Sequence, residues 1–295
     1  MRIQAHDLQI GDLITRPTRV RVRHLQRGDG GELITNPGAP DEMKGHAWEW
    51  VDVERQRRVF LDTEFDPRDP TLTGLLSIGL TDNGSPAADF YAINADANLA
   101  ALADHPFIVE NVAPFLPVTV SRGADGSVTG IDWDKGHPDY TTHVRPAAQI
   151  AEEVAAYFPG ERAPELLANW GKDDLGYLHR LFGNDWGAMP DGVPRIFTDL
   201  EVLRRQLDAP QPPAQAADEH HALADARFNR DFHTHLLRFQ ERQMASVNEL
   251  AEALCGVDRR GPWQRQSELH RNGYRIAATV LLKRFEVRRR PQDGQ

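Results

Sequence analysis

At 295 residues, 40% hydrophobic and 26% charged, the chain has the composition of an ordinary soluble globular protein, with room for one large domain or a central domain with flanking modules. No apolar run approaches the eighteen or so residues that cross a bilayer, the start MRIQAHDLQIGD lacks the basic and apolar regions of a secretory signal, and the lone Cys255 excludes an internal disulfide framework or a cysteine-rich zinc site. The expectation is a cytoplasmic protein with no membrane association.

The net charge of -10 is unevenly spread. Residues 1–58 carry ten Lys/Arg against nine Asp/Glu, residues 59–245 fourteen against twenty-nine, and residues 246–295 ten against six. An acidic centre argues against a passive nucleic-acid binder, which needs a basic footprint. It leaves room for a metal-dependent nuclease, whose bound cations reverse the local field.

Residues 1–58 are predicted to form a small β-rich module. Residues 18–23 alternate over six positions, Gly28-Asp29-Gly30-Gly31 signals a turn, and residues 32–35 and 47–51 read as further short strands. No catalytic constellation occurs there.

From residue 59 the pattern becomes α/β. Residues 59–66, VFLDTEFD, open on a short apolar run and end in Asp62-x-Glu64. Side chains two apart on a strand point to one face, so Asp62 and Glu64 project together with Thr63 turned away. Two carboxylates on one face repel unless something compensates, and the usual compensation is a divalent cation. Taken alone, the pair reads more readily as a strand running out into a polar loop.

Residues 75–80 (LLSIGL) are a second predicted strand, Asp82-Asn83-Gly84-Ser85 a hairpin-type turn, and residues 88–93 a third strand, giving an antiparallel meander. Residues 121–145, rich in Gly, Asp and His, are expected as a surface excursion, where Trp133, His137 and His143 show no ligand spacing. Ile150, Val154 and Tyr157 predict a helix over residues 147–158. Residues 165–170 (ELLANW) are a fourth predicted strand, broken by Gly171. A helix then starts at Lys172, with Leu175, Leu178 and Phe182 at helical spacing. Asp173 and Asp174 fall in its first turn, where acids complement the helix dipole without further function.

Residues 193–198 read as a strand and 199–207 as a helix. The proline-rich residues 209–215 cannot be helical, and they lead into DEHHALADAR at 218–227. Asp218 is the expected N-cap of a long helix to about residue 243, with Ala222, Ala226, Phe232 and Leu236 on its buried side. Residues 247–254 and 277–285 are predicted helices separated by Gly261-Pro262. The basic end, with Lys283, Arg284 and Arg288-Arg289-Arg290, reads as a solvated, frayed face or as a surface that steers RNA.

Four acids and one histidine stand out, namely Asp62, Glu64, Asp174, Asp225 and His220, each acid beside a buried element. His220 precedes Asp225 by five residues, a rotation of about 140° on an ideal helix. The two share a site only if His220 lies on the lead-in and Asp225 inside the helix. That division suits a movable base beside a rigid metal ligand.

This succession of motifs resembles the DEDDh 3′-5′ exonuclease superfamily and, within it, the ribonuclease AS family of polyadenylate-preferring 3′-5′ exoribonucleases. The likeness is carried by DTEF (62–65), LLSIGL (75–80), Tyr91-Ala92, ELLANWGKDDLGYLHRL (165–181), MPDGVPRIFTDLEVLRRQL (189–207) and HHALADAR (220–227). It covers roughly residues 59–240, and residues 121–145 and 209–215 are longer than a compact member needs.

The resemblance implies an α/β fold with a ribonuclease H-like mixed sheet flanked by helices. The exonuclease domain spans 59–243, between the β-rich module 1–58 and a helical, basic appendage 244–295. It implies two divalent cations, Mg²⁺ or Mn²⁺, with Asp62 bridging both, Glu64 and Asp225 holding the one that activates water, and Asp174 ordering the second through water. His220 would take a proton from the attacking water, a task suited to an imidazole. The family interval of four residues between His and Asp selects His220 over His221. The products would be nucleoside 5′-monophosphates from the 3′ ends of single-stranded RNA, adenine-rich RNA being favoured, and the protein would form a homodimer.

Phe65, directly after the acidic pair, is either a stacking residue for terminal bases or an ordinary core aromatic. Trp170 is expected in the core. Two rival readings stand beside the exoribonuclease. One is a DNA-directed 3′-5′ exonuclease, because contacts to a 2′-hydroxyl are not visible in sequence. The other is a catalytically inactive nucleic-acid-binding scaffold on the same fold.

Overall fold

The computed structural model describes residues 2–4, 13–16, 20–22, 25–27, 32–36, 42–46, 50–54, 57–160, 163–215, 218–257, 263 and 266–284. The chain divides into two compact units, one of Arg57–Leu236 and one of Met1–Gln56 with Leu237–Gln295. The first boundary falls close to the change of pattern at residue 59.

In the unit that holds the N-terminus, strands β1 (Arg2–Gln4), β2 (Leu13–Arg16), β3 (Val20–Arg21), β4 (Leu25–Arg27), β5 (Glu32–Thr35), β6 (Met43–His46) and β7 (Trp50–Glu54) form two antiparallel sheets, ordered β1-β7-β2-β3 and β4-β5-β6. The alternation at 18–23 yields pairing at Val20 and Arg21 with Val22 buried beside them. The turn at 28–31, residues 47–49, and Gly261-Pro262 lie outside the described residues.

The strands of the second unit are β8 (Arg58–Phe65), β9 (Leu75–Asp82), β10 (Asp89–Asn94), β11 (Val118–Arg122), β12 (Val128–Trp133), β13 (Val144–Arg145), β14 (Glu165–Ala168) and β15 (Thr198–Asp199). Six of them build one mixed sheet in the order β13-β10-β9-β8-β14-β15, while β11 and β12 pair as a separate hairpin. β8, β9 and β10 are an antiparallel meander, and β14 and β15 continue the sheet parallel to β8. β8 lies inside the sheet and β9 is buried at every position, so the starts of both strands read as short apolar runs rather than as an alternation.

The helices are α1 (Leu99–Leu102), α2 (Pro138–His143), α3 (Ala147–Tyr157), α4 (Lys172–Arg180), α5 (Leu200–Leu207), α6 (Ala222–Val257) and α7 (Glu268–Arg284). α3 and α4 cover one face of the six-stranded sheet, where Val59, Leu61, Ile78 and Leu80 share a core with Ile150, Val154, Tyr177 and Leu178. A second cluster joins Leu76 and Ile93 to Leu99, Ile108, Val112 and Leu116.

Three expectations change. Residues 121–145 are not a bare excursion but hold the rest of the β11–β12 hairpin and α2, whose first turn carries Pro138 behind a capping His137. The strand expected at 193–198 shrinks to β15, and Asp199 caps α5 by accepting the N–H groups of Glu201 and Val202. α6 does not stop near residue 243 but runs to Val257 and absorbs the helix expected at 247–254. No proline interrupts it, and Ala251 and Cys255 continue a buried stripe.

Candidate metal centre

Asp62 and Glu64 leave β8 on one face near its C-terminal end. Across the sheet, Asp62 stands opposite Gly79, Gly79 opposite Tyr91, and Glu64 opposite Ser77. A Cβ on Gly79 would lie 2.3 Å from the Ala222 carbonyl oxygen and 2.4 Å from the Leu223 nitrogen. A glycine in the interior of a strand signals such a close backbone approach, and here it seats the start of α6 directly on the carboxylate face. The strand pairing shifts register between Glu64 and Phe65, which ends the regular ladder where the acids emerge.

His220 precedes α6 with φ 72, a left-handed conformation that turns it off the helical path. Its backbone N–H donates to Asp225 Oδ2 at 3.0 Å. One potential ligand atom each from Glu64, His220 and Asp225 then lie within 4.8 Å of one another. The lead-in therefore overcomes the 140° offset by chain reversal. Phe107 meets the His220 ring edge-on at 5.0 Å, and the Gln215 side-chain amide donates to Asp225 Oδ1.

His221 goes elsewhere. Its ring stacks on Tyr91 at 4.4 Å, and its Nδ1 accepts the Ala224 N–H at 3.4 Å. Burial lowers its pKa. His221, and not Asp218, therefore occupies the capping position, and the Asp218 carbonyl accepts the His221 N–H.

Asp174 arrives from the opposite face, in the first turn of α4. It is buried, and its Oδ1 accepts both the Thr63 N–H at 2.7 Å and the Thr63 hydroxyl at 2.6 Å. Asp173 beside it is exposed, so the dipole explanation suffices for that residue alone.

The four acids share one electrostatic environment. Asp62 is held well above the usual carboxylate range, first by burial and then by the charges of Asp174, Asp225 and Glu64. Glu64 is pushed up to about 8 by burial and then by Asp225. Asp174 is raised to about 6 by burial, against the two Thr63 hydrogen bonds. Asp225 is raised by burial, opposed by Gln215 and the His220 N–H. Among the described residues no lysine or arginine pairs with any of the four. Carboxylate oxygens with one imidazole and no cationic partner can hold a hard divalent cation.

Phe65 lies tilted against Tyr177 at 4.9 Å and packs, partly buried, against the core under the sheet. Trp170 is not a core residue, since it is 65% exposed. Thr63, Gly79, Phe107 and Gln215 were not singled out by sequence. Of these only Gly79 carried a signal, a glycine inside a buried strand.

No family model matches the chain, and no curated protein matches it in sequence.

Proposed function

We propose that the protein is a metal-dependent 3′-5′ exoribonuclease of the DEDDh type, releasing nucleoside 5′-monophosphates from single-stranded RNA, with adenine-rich RNA favoured. The observation that carries this reading is the convergence of Glu64, Asp225 and His220, drawn from elements far apart in sequence, beside Asp62. The strand succession supports a ribonuclease H-like fold: a meander of β8, β9 and β10 with β14 and β15 added in parallel on the far side of β8.

Asp62, Glu64, Asp174 and Asp225 would hold two divalent cations, Mg²⁺ or Mn²⁺, which supply a Lewis acid for the phosphodiester and lower the pKa of water. His220 would take a proton from the attacking water at its ring nitrogen. Its left-handed backbone and the N–H bond to Asp225 orient it, while Phe107 limits its swing. Thr63 keeps Asp174 in place from beneath.

The experiment is digestion of 5′-labelled oligo(A), oligo(U) and oligo(dA) with Mg²⁺ or Mn²⁺, with Asp62→Ala as control. The expected result is a ladder shortening from the 3′ end of RNA, fastest on oligo(A), and absent in the variant. Preference for oligo(dA) would move the reading to a DNA exonuclease. No metal-dependent shortening of any strand would leave only a binding scaffold.

A further inference from the structure

The same unit contains a cavity of about 420 Å³ that the proposed hydrolysis does not use. Its size falls within the roughly 300–1,000 Å³ of small-molecule sites. Asn169 and Trp170 at the end of β14, Arg205 of α5, Pro212 of the proline-rich loop, and Phe228 and Phe232 of α6 supply its walls.

Three features set these walls apart from ordinary surface. Asn169 Oδ1 is buried and accepts a hydrogen bond from no described residue, a costly arrangement unless a ligand supplies the donor. Trp170 is 65% exposed and sits at φ 55, so a large aromatic is both solvated and held in a left-handed conformation that disfavours it. The Arg205 guanidinium lies over its ring at 5.5 Å, and the Glu201 carboxylate fixes that guanidinium at 2.7 Å. The cavity thus offers an aromatic and guanidinium platform and, in Asn169, an acceptor without a partner.

We propose that this cavity is a nucleobase subsite, taking a planar heterocycle that stacks at Trp170 and Arg205 and donates an N–H to Asn169 Oδ1. Stacking on aromatic rings and guanidinium planes is how unpaired bases are held. The subsite and the acids are carried by the same segments. Leu167 of β14 pairs with Phe60 of β8, so Asn169 and Asp62 lie equally far beyond that pair, and the loop that carries Pro212 ends in Gln215, which grips Asp225. The base can belong to a strand engaged at the acids, a source that rests on the reading above, or to a free mononucleotide, which does not.

The test is binding in EDTA, where no metal-dependent hydrolysis runs. Calorimetry with AMP and N6,N6-dimethyl-AMP, and anisotropy of labelled oligo(A), are compared between the wild type, Trp170→Ala and Arg205→Ala. Trp170→Ala should weaken binding by about fivefold to a hundredfold, and the dimethylated base, which lacks the exocyclic N–H, should bind more weakly to the wild type. A loss confined to oligo(A) assigns the base to the strand, and a loss with AMP assigns it to a free nucleotide. Unchanged affinity in folded Trp170→Ala and Arg205→Ala proteins overturns the subsite, as does undiminished binding of the dimethylated base. Trp170-dependent binding by a protein that hydrolyses no strand would sink the exoribonuclease and keep the subsite. Hydrolysis with Trp170-independent binding would do the reverse.

Discussion

Asp174 and Thr63 are joined twice through a single oxygen, which accepts the backbone N–H at 2.7 Å and the side-chain hydroxyl at 2.6 Å. The bond pair ties α4, on one face of the sheet, to the strand whose neighbouring side chains carry acids on the other face. Replacing Thr63 by Val keeps the shape and removes the hydroxyl donor to a buried carboxylate. The expected cost is about 1–3 kcal/mol, read as a fall in melting temperature, while Thr63→Ser should recover most of it. An unchanged melting temperature in Thr63→Val would show that the hydroxyl bond does not anchor Asp174.

The acids make stability depend on pH. Glu64 is raised from 4.5 to about 8 and Asp174 from 3.8 to about 6, so the folded protein favours their protonated forms. A carboxyl raised on folding contributes stability that is complete below its unfolded pKa and lost as pH rises through the folded one. The cation-free protein should therefore lose melting temperature between pH 4.5 and about 8. Glu64→Gln should flatten that decline, and Mg²⁺ or Mn²⁺ should restore stability at its upper end. Thermal unfolding in EDTA across this range checks both, and a melting temperature that climbs toward pH 8 would contradict the coupling of the acids.

The two adjacent histidines should separate cleanly. His220→Ala removes the group beside Glu64 and Asp225, and the expected loss of hydrolysis is about 10²–10⁴-fold. His221→Phe keeps a ring against Tyr91 and should leave the rate within several-fold. Equal losses in the two variants would mean that neither ring acts as the base and that both only shape the lead-in to α6.

Gly79 offers a test of how α6 reaches the site. Gly79→Ala would push a methyl group into the Ala222–Leu223 peptide at 2.3–2.4 Å, where backbone must move. Overpacking of this kind costs about 1–3 kcal/mol, occasionally more. Displacing α6 carries Asp225 with it, so stabilisation by added Mn²⁺ should shrink along with the melting temperature. A full Mn²⁺ response in the alanine variant would show that Asp225 is placed by something other than this close approach.

The acids stand out in sequence only as an ordered set, since alone the Asp62/Glu64 pair reads as a strand running into a loop and Asp174 as a complement to the helix dipole. Asp62 and Glu64 end an apolar strand, Asp174 opens a helix, and Asp225 sits just inside one. The meander and α3 were plainer, the strands as short apolar runs around a turn signal and the helix as a period of 3.6. What escaped depends on partners remote in the chain. Nothing around Gln215 announces that its amide will reach Asp225, and ELLANW gives no hint that its last residue faces solvent. The extent of α6 escaped for a different reason, because polar residues between 238 and 246 thin the apolar stripe without breaking the helix.

The acids are dispersed along the chain, with Asp62 and Glu64 on the first strand of their sheet and Asp225 on a helix that follows its last strand. A chain growing from its N-terminus carries the first pair long before the last acid exists, and Asp174 can be anchored to Thr63 in the interval. The convergence with Asp225 waits until α6 settles over Gly79. The last acid of the set is therefore also the last to be synthesised, and a cation held by all four would tie the first strand of the sheet to the helix that follows its last.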